Sequence, residues 1–410
     1  MTDLGASDLP VMDAAFLSNP YPHYAKLREA GAVHRMRGSN GLRMWVVSRY
    51  AEAREALAHP ALSKDISRSH ELGYLQRELG DSSFGHRLTT WPLSHHMLNL
   101  DPPEHTRLRK LASSTFTAGR VQRLRPRIEQ ISLRLLDEIE RTTPPGEPAD
   151  MISAYAEPLP VIVIGELLGL PDEDLPQLRE WTAVLMSNVD PSFRKVTKRI
   201  ARYFNDVIDA KRERPGTDLI SGLLAVDDDG GLTQVELVSM AFMVLVAGHE
   251  TTLSLICNGL RALLNHPHQG AALRADPAGI PRAVEEFLRF EAPLSRSTLR
   301  YVAAEVTIGG VTMSEGDYVV VLIGSANRDE GAFDRAEELD LKRRPSGHLA
   351  FGHGIHYCLG APLARLEGEI AFGHLLSRYP DLRPAVPDAD LVWRDSTLVH
   401  SFEHLPVILR

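Results

Sequence analysis

The sequence predicts a mainly α fold with small β-sheets, and three observations carry that expectation. Apolar residues recur at helical spacing over much of the first two-thirds of the chain. Thr233-Gln234-Val235-Glu236 reads as a capping box, in which each side chain satisfies the other's backbone N–H, and it opens a helix that can reach Leu264, about 45 Å at 1.5 Å per residue. Strand-like runs are short and local. At 410 residues and 43% hydrophobic content, the chain can bury a large core.

In order, residues 1–20 read as a flexible N-terminal arm and Tyr21 to Ala30 as a helix. Ala32 to Arg37 and Leu42 to Ser48 read as strands flanking the turn Gly38-Ser39-Asn40-Gly41. Ala51 to Ala58 is helical until Pro60 stops it. Leu62 to His96 is a long loop with one short helix around Glu71 to Leu79, of the kind that covers active sites. Further helices are expected from Asp101, from Pro126 to Glu140, around Val161 to Leu168, and over Asp174 to Asn188 and Lys195 to Arg212. Arg300 to Ile308 and Tyr318 to Gly324 are strand-like.

Composition excludes several classes. Lys and Arg number 45 against 54 Asp and Glu, a net charge of −9, which argues against a general nucleic-acid binder. Two cysteines give no disulfide scaffold and point to a reducing, cytoplasmic setting. The longest apolar run, Val238 to Ala247 broken only by Ser239, falls short of the ~20 residues that cross a bilayer, so no membrane anchor is expected. Neither a dinucleotide-binding glycine fingerprint nor a phosphate-binding loop is present.

Four stretches carry chemistry. In Phe351-Gly352-His353-Gly354-Ile355-His356-Tyr357-Cys358-Leu359-Gly360, two glycines permit a tight turn, and Cys358 precedes an apolar run of helical period. A sulfur at a helix start meets free N–H groups and the positive dipole end, which favour thiolate. Such a thiolate can be a nucleophile, a metal ligand or an axial haem ligand; a buried inert cysteine is the plainer alternative. His105 and Arg109 share one helix face, either as a solvated basic face or as donors to a carboxylate, and Arg120, Arg123, Arg125 and Arg127 extend a basic region that an acidic partner can dock on. Ala247-Gly248-His249-Glu250-Thr251-Thr252 interrupts an apolar helix. Gly248 costs about 1 kcal/mol relative to alanine and the hydroxyls compete for helix carbonyls, so a local distortion that admits a ligand is expected. A zinc motif is excluded because Leu253 stands where the second histidine belongs. Glu286 and Arg289, three apart, can pair.

These stretches together, with Asn327-Arg328-Asp329 between the last two, closely resemble a cytochrome P450 over nearly the full length, specifically a soluble bacterial one of the kind common in actinobacterial natural-product pathways. The resemblance implies a single P450 domain over residues 1–410, holding haem b (iron protoporphyrin IX) with Cys358 as proximal thiolate and metal ligand, and using dioxygen as co-substrate. His105, Arg109, Arg300 and His356 match the positions that hold the haem propionates. Phe351 and Gly360 belong to the cofactor-binding loop, Ala247 and Gly248 leave room for dioxygen, and Glu250 and Thr251 match the catalytic acid–alcohol pair that relays protons. Glu286 and Arg289 are structural. One departure stands out: the arginine that usually joins this pair is replaced by Glu338 in Phe333-Asp334-Arg335-Ala336-Glu337-Glu338. Either Glu338 is expected to contact Arg289, or Arg335 to substitute from a shifted loop.

The implied activity is haem-thiolate monooxygenation, hydroxylating or epoxidising a hydrophobic or amphipathic natural product such as a macrolide, another polyketide or a modified peptide. Oxidative coupling or desaturation uses the same centre with another substrate pose, while a nonenzymatic haem-binding protein leaves Glu250 and Thr251 unexplained. The family's variable recognition regions place Phe84, Leu88, Trp91, Leu93, Met186, Asn188, Phe193, Met243, Leu294 and Leu398 at the substrate pocket. With no fused reductase, the expected electron source is a ferredoxin served by a separate NAD(P)H-dependent reductase, acting on a monomer in the cytoplasm.

Overall fold

The computed structural model describes residues 9–65, 68, 93–186, 192–226, 231–344, 347–394, 396 and 398–410. Its principal helices are α1 (Tyr21–Ala30), α2 (Tyr50–Ala58), α3 (Glu104–Thr115), α4 (Arg125–Thr142), α5 (Pro158–Leu168), α6 (Leu175–Met186), α7 (Phe193–Glu213), α8 (Gln234–Asn265), α9 (Ile280–Phe290) and α10 (Ala361–Arg378). The long α8 starts where the sequence places it, with both halves of the Thr233–Glu236 capping box formed. By length and composition α8 could cross a membrane, but 72% of its most apolar window is buried inside this protein. It is the core's central rod. Helices α5, α7, α9 and α10 pack around it, and its Leu253, Leu255, Ile256 and Leu260 are among the most buried side chains of the main cluster.

A six-stranded sheet lies beside this helical body in the order β1-β2-β3-β9-β6-β4, from β1 (Val11–Met12), β2 (Val33–Gly38), β3 (Arg43–Val47), β4 (Leu62–Ser63), β6 (Arg300–Val302) and β9 (Tyr318–Val321). Strands β5 (Pro148–Asp150), β10 (Arg383–Pro384) and β11 (Pro406–Ile408) make a second sheet, and β7 (Val306–Ile308) with β8 (Val311–Met313) a ribbon. The flexible-arm expectation needs correction from Leu9 onward: Val11 and Met12 pair with Arg37 and Gly38, and Met12 and Phe16 are buried. Apolar burial of those two side chains outweighs the entropy of a loose arm. Residues 1–8 and the short helix expected at Glu71 to Leu79 lie outside the described residues.

On α9, the Arg289 guanidinium meets the Glu286 carboxylate at 2.8 Å, both side chains 2% exposed. Arg289 also donates to the carbonyls of Asn327 (2.9 Å), Ala336 (2.7 Å) and Glu338 (2.8 Å). The third charged partner is Arg343, whose Nε lies 3.2 Å from Glu286. The expected contact of Glu338 with Arg289 is made through its backbone carbonyl, while its side chain faces outward to Arg335 at 3.1 Å. Arg335 does not substitute at the pair; Arg343, later in the loop, joins it.

Candidate active site

The cysteine loop is shaped by close approach. Gly352 and Gly354 adopt φ of 73° and 75°, and a Cβ on Gly354 would meet the Ala58 backbone of α2 at 3.0 Å, so only glycine fits there. The Cys358 N–H closes the turn on the Phe351 carbonyl at 2.8 Å. Arg365 lies 4.5 Å from the centre of the buried Phe351 ring and is held by Glu285 at 2.6 Å, which also faces His348 at 3.2 Å. Burial pushes the Glu285 carboxyl up, but His348 and Arg365 outweigh it and hold it down at about 2. A depressed carboxylate pKa contributes stability above its unfolded value that is lost as pH falls towards the folded one. Glu285→Gln is therefore expected to melt below the parent protein at pH 7, with the gap closing between pH 4.5 and about 2; melting curves across that range check it.

Of the two cysteines, Cys257 is buried within α8 and Cys358 is accessible. Burial raises both thiols, Cys257 strongly. For Cys358 the N–H groups of Gly360 and Ala361 and the charge of Arg109 pull the other way, as a helix start should, without overcoming burial. The sequence expectation of a depressed thiol is corrected accordingly. A bound metal cation reverses this balance, because it replaces the proton outright.

Near Cys358 stands a concentration of cations and imidazoles. His105 is 3% exposed, its ring centre lies 4.4 Å from that of His356, and among the described residues neither His105 nitrogen has a hydrogen-bond partner, nor has Nε2 of His356 or Nε of Arg300. Arg300 is fixed through Nη1 on the Leu62 carbonyl at 3.1 Å, an arrangement made by the pairing of β4 with β6. Burial, then Lys64, His105, Arg300 and Arg109, drive the His356 pKa down to about 2. Lys64, 2% exposed, is pushed down to about 7 by burial and Arg300, with Asp101 opposing; His96 falls to about 3 through burial and Lys64. Sequence reasoning missed Lys64 and His96 as members of this group. Lys64 follows a two-residue strand, too short to show in a periodicity, and only the fold brings it to Arg300.

Unpartnered buried donors beside repelling cations fit an anionic ligand carrying more than one carboxylate. Haem b, with two propionates and an iron for the accessible Cys358 sulfur, satisfies that donor set.

A second surface faces this group. Met243 clusters with Met97, Leu100, Leu108 and Ala112 of the α3 region, and Val244 and Leu359 pack against them, so α8, α3 and the cysteine loop meet. Along α8 the exposed or half-buried Val244, Ala247, Gly248 and Thr251 form one stripe at helical spacing in an otherwise buried element. A Cβ on Gly248 would meet Ile164 of α5 at 2.6 Å, so the glycine lets α5 and α8 approach closely. Thr251, Thr252 and Ser254 hydroxyls donate to the carbonyls of Ala247 (2.8 Å), Gly248 (3.2 Å) and Glu250 (2.9 Å). Glu250, 6% exposed, bonds Arg394 at 3.1 Å.

Among the pocket candidates, Leu294 and Leu398 are half-buried and brought together by the Leu294–Val399 bridge, and Phe193 is half-buried at the start of α7. Leu93 is fully buried in the main core, a correction: it packs inward instead of lining a pocket. Met186 ends α6. Phe84, Leu88, Trp91 and Asn188 lie outside the described residues.

Comparison with known proteins agrees with this geometry. The family model described as cytochrome P450 matches residues 161–277 and 280–385. Cytochrome P450 107B1 of Saccharopolyspora erythraea is 44% identical over 409 residues, 99% of each chain. Cytochrome P450 monooxygenase PikC of Streptomyces venezuelae is 42% identical, covering 98% of this chain and 93% of its own. The tirandamycin C-bound P450 monooxygenase TamI superposes with a TM-score of 0.89 at 40% identity, covering 98% of this chain and all (100%) of TamI.

Proposed function

The chain belongs to the cytochrome P450 family, and on that premise we propose that Cys358 is its proximal haem ligand and that a macrolide or related polyketide is its substrate. The family makes it an oxidoreductase, a monooxygenase with haem b held by a cysteine thiolate and dioxygen as co-substrate. The observation that carries the ligand assignment is the exposed Cys358 beside the His105 ring, Nε2 of His356 and Nε of Arg300, which have no hydrogen-bond partner among the described residues. Cys257, the alternative, is enclosed in α8. His105, Arg109, Arg300 and His356 would hold the propionates, with Lys64 and His96 adding donors to the same group.

When bound, haem b supplies dioxygen activation, its thiolate ligand pushing electron density towards iron and favouring O–O cleavage. The chain supplies protons and pose. Thr251 presents its hydroxyl from the open stripe of α8, and Glu250, one residue earlier, is the acid that feeds it. Leu294 and Leu398, beside the Leu294–Val399 bridge, and Phe193 at the start of α7 would serve as apolar walls. The macrolide reading rests on relatives: 6-deoxyerythronolide B hydroxylase of Saccharopolyspora erythraea, 40% identical, and mycinamicin IV hydroxylase/epoxidase of Micromonospora griseorubida, 36% identical. Reconstituted turnover of a macrolactone and polyketide panel under labelled dioxygen tests it. One labelled oxygen in the product is expected; unlabelled coupled or desaturated products would instead favour the other oxidative class.

As a P450 of this bacterial type, the enzyme uses redox partners and a small-molecule substrate. A ferredoxin with a separate NAD(P)H-dependent reductase is the partner that fits, acting on a cytoplasmic monomer. The basic region invoked for docking is partly committed elsewhere: Arg125 pairs with Glu369 at 2.9 Å and Arg127 with Glu166 at 2.6 Å, and Arg109 faces Cys358. The better surface is the outer side of the cysteine loop. It exposes Ile355 and Tyr357, and a depression of about 290 Å³ there is lined by Arg54 and His353 together with the paired Glu285, His348 and Arg365. First-electron transfer should slow as salt rises; indifference to ionic strength would remove the acidic ferredoxin.

A further inference from the structure

His249 has no part in the chemistry above, yet it is 3% exposed and meets oxygen at both ring nitrogens. Nδ1 lies 2.8 Å from the Leu245 carbonyl, which can only accept, so Nδ1 carries a hydrogen. Nε2 lies 3.3 Å from Oε1 of Glu250 and 3.4 Å from the Thr182 hydroxyl, whose own hydrogen goes to the Arg179 carbonyl at 3.0 Å. Arg394, charged at every working pH, holds Oε2 of Glu250 at 3.1 Å and keeps that carboxyl anionic. Both neighbours of Nε2 therefore accept, and the ring is satisfied only with a hydrogen on each nitrogen. Among the described residues no hydrogen bond joins Glu250 to Thr251, whose hydroxyl is turned back to Ala247.

We propose that His249 is a positioning residue for distal proton delivery: with Arg394 it clamps the Glu250 carboxylate away from Thr251, and its Nε2 hydrogen is the proton that converts Glu250 to the acid. The proposal rests on the P450 reading, which makes Glu250 the acid. The step conserves charge. Imidazolium and carboxylate become neutral imidazole and carboxylic acid as the hydrogen passes from Nε2 to Oε1. The neutral acid is no longer bound electrostatically by Arg394 and can rotate towards Thr251 as a donor. Once it has given its proton, Glu250 returns as carboxylate, and a solvent proton entering beside Arg394, whose side chain is 30% exposed, restores the imidazolium.

The surroundings favour the charged ring. Burial pulls the His249 pKa down, but the hydrogen bond and charge of Glu250, the Leu245 carbonyl and the charge of Glu157 together raise it above the ordinary value. Glu157 is itself paired with Arg179 of α6. Glu250 moves the opposite way: burial raises it, and His249 and Arg394 bring it below the ordinary range. Both shifts favour the charged pair over the neutral one.

The test uses haem-loaded protein with ring-labelled histidines, reduced and CO-bound so that it is diamagnetic. The signal lost in His249→Gln should sit at the imidazolium shift at pH 7.5, where a histidine of ordinary pKa, about 6.5, is neutral. Arg394→Gln should shift the same signal and identifies it if His249→Gln fails to fold. A neutral ring at pH 7.5 overturns the proposal. The second readout is the share of NADPH electrons released as hydrogen peroxide rather than water, driven by a surrogate ferredoxin and reductase. It should be flat from pH 6 to 8 in the parent and rise with pH in His249→Gln; a parallel, pH-independent loss would mark a merely structural role and overturn it. If the parent's CO complex lacks the thiolate band, the P450 reading fails; if that band is present and the ring neutral, only the His249 proposal fails.

Discussion

Cys358→Ala is expected to abolish the red-shifted thiolate–haem band of the reduced, CO-bound protein and to reduce substrate oxidation to background, while Cys257→Ala leaves both intact. Only two cysteines exist in the chain, and the second cannot take over. Cys257 is wholly buried in α8, and its thiol is pushed far above its ordinary value by burial and then by Asp150. Cys358, by contrast, is an exposed residue. The loop that presents it is set by Gly352, Gly354 and the Cys358 N–H bond to Phe351, none of which needs the thiol. Cys358→Ala should therefore remain folded, and its circular dichroism separates lost ligation from lost structure. Retention of the band in Cys358→Ala would defeat the ligand assignment.

The sequence made this site legible in its local parts and obscured it where distant elements meet. The capping box and the turn glycines each act within a few residues, so their side chains announce their geometry; the Gly-His-Glu-Thr stretch, expected to distort its helix, leaves α8 continuous from Gln234 to Asn265. Lys64 does not. Its place beside Arg300 depends on Leu62 and Ser63 pairing with Val302 and Tyr301, a contact more than two hundred residues long in sequence and two residues long in register. Gly248 shows a related difficulty: a glycine in an active-site motif suggests ligand access, and the sequence does not show the second demand on it, that a Cβ there would meet Ile164 of a neighbouring helix. His249 was visible only as a failed zinc motif. What gives it a role is the pair of acceptors at its Nε2, one from the same helix and one from α6.

The second large effect is expected at the buried Glu286–Arg289 pair, and its ranking tests how the Glu338 departure is absorbed. Removing one member of a buried ion pair costs roughly 3–5 kcal/mol, a large share of the roughly 5–15 kcal/mol that separates folded from unfolded domains. Arg289→Met should be worst. It leaves Glu286 with Arg343 and the Asp340 N–H and strips the carbonyls of Asn327, Ala336 and Glu338 of a charged donor in one change. Asn327 also bonds the Leu349 N–H through its side-chain oxygen at 2.7 Å, so the damage passes to the segment leading into the cysteine loop, and haem content should fall with stability. Glu286→Gln should rank next, because Arg289 keeps its three carbonyls while Arg343 loses its carboxylate. Arg343→Met removes the contact with Glu286 and the more exposed bonds to the carbonyls of Asp334, Arg335 and Glu338, about 1.5–3 kcal/mol. Glu338→Ala should be nearly silent, within about 0.5 kcal/mol, because only its backbone takes part. Denaturant melts of the haem-loaded variants give the order directly. A Glu338→Ala loss equal to that of Glu286→Gln would show that the Glu338 side chain, and not its carbonyl with Arg343, supports Arg289.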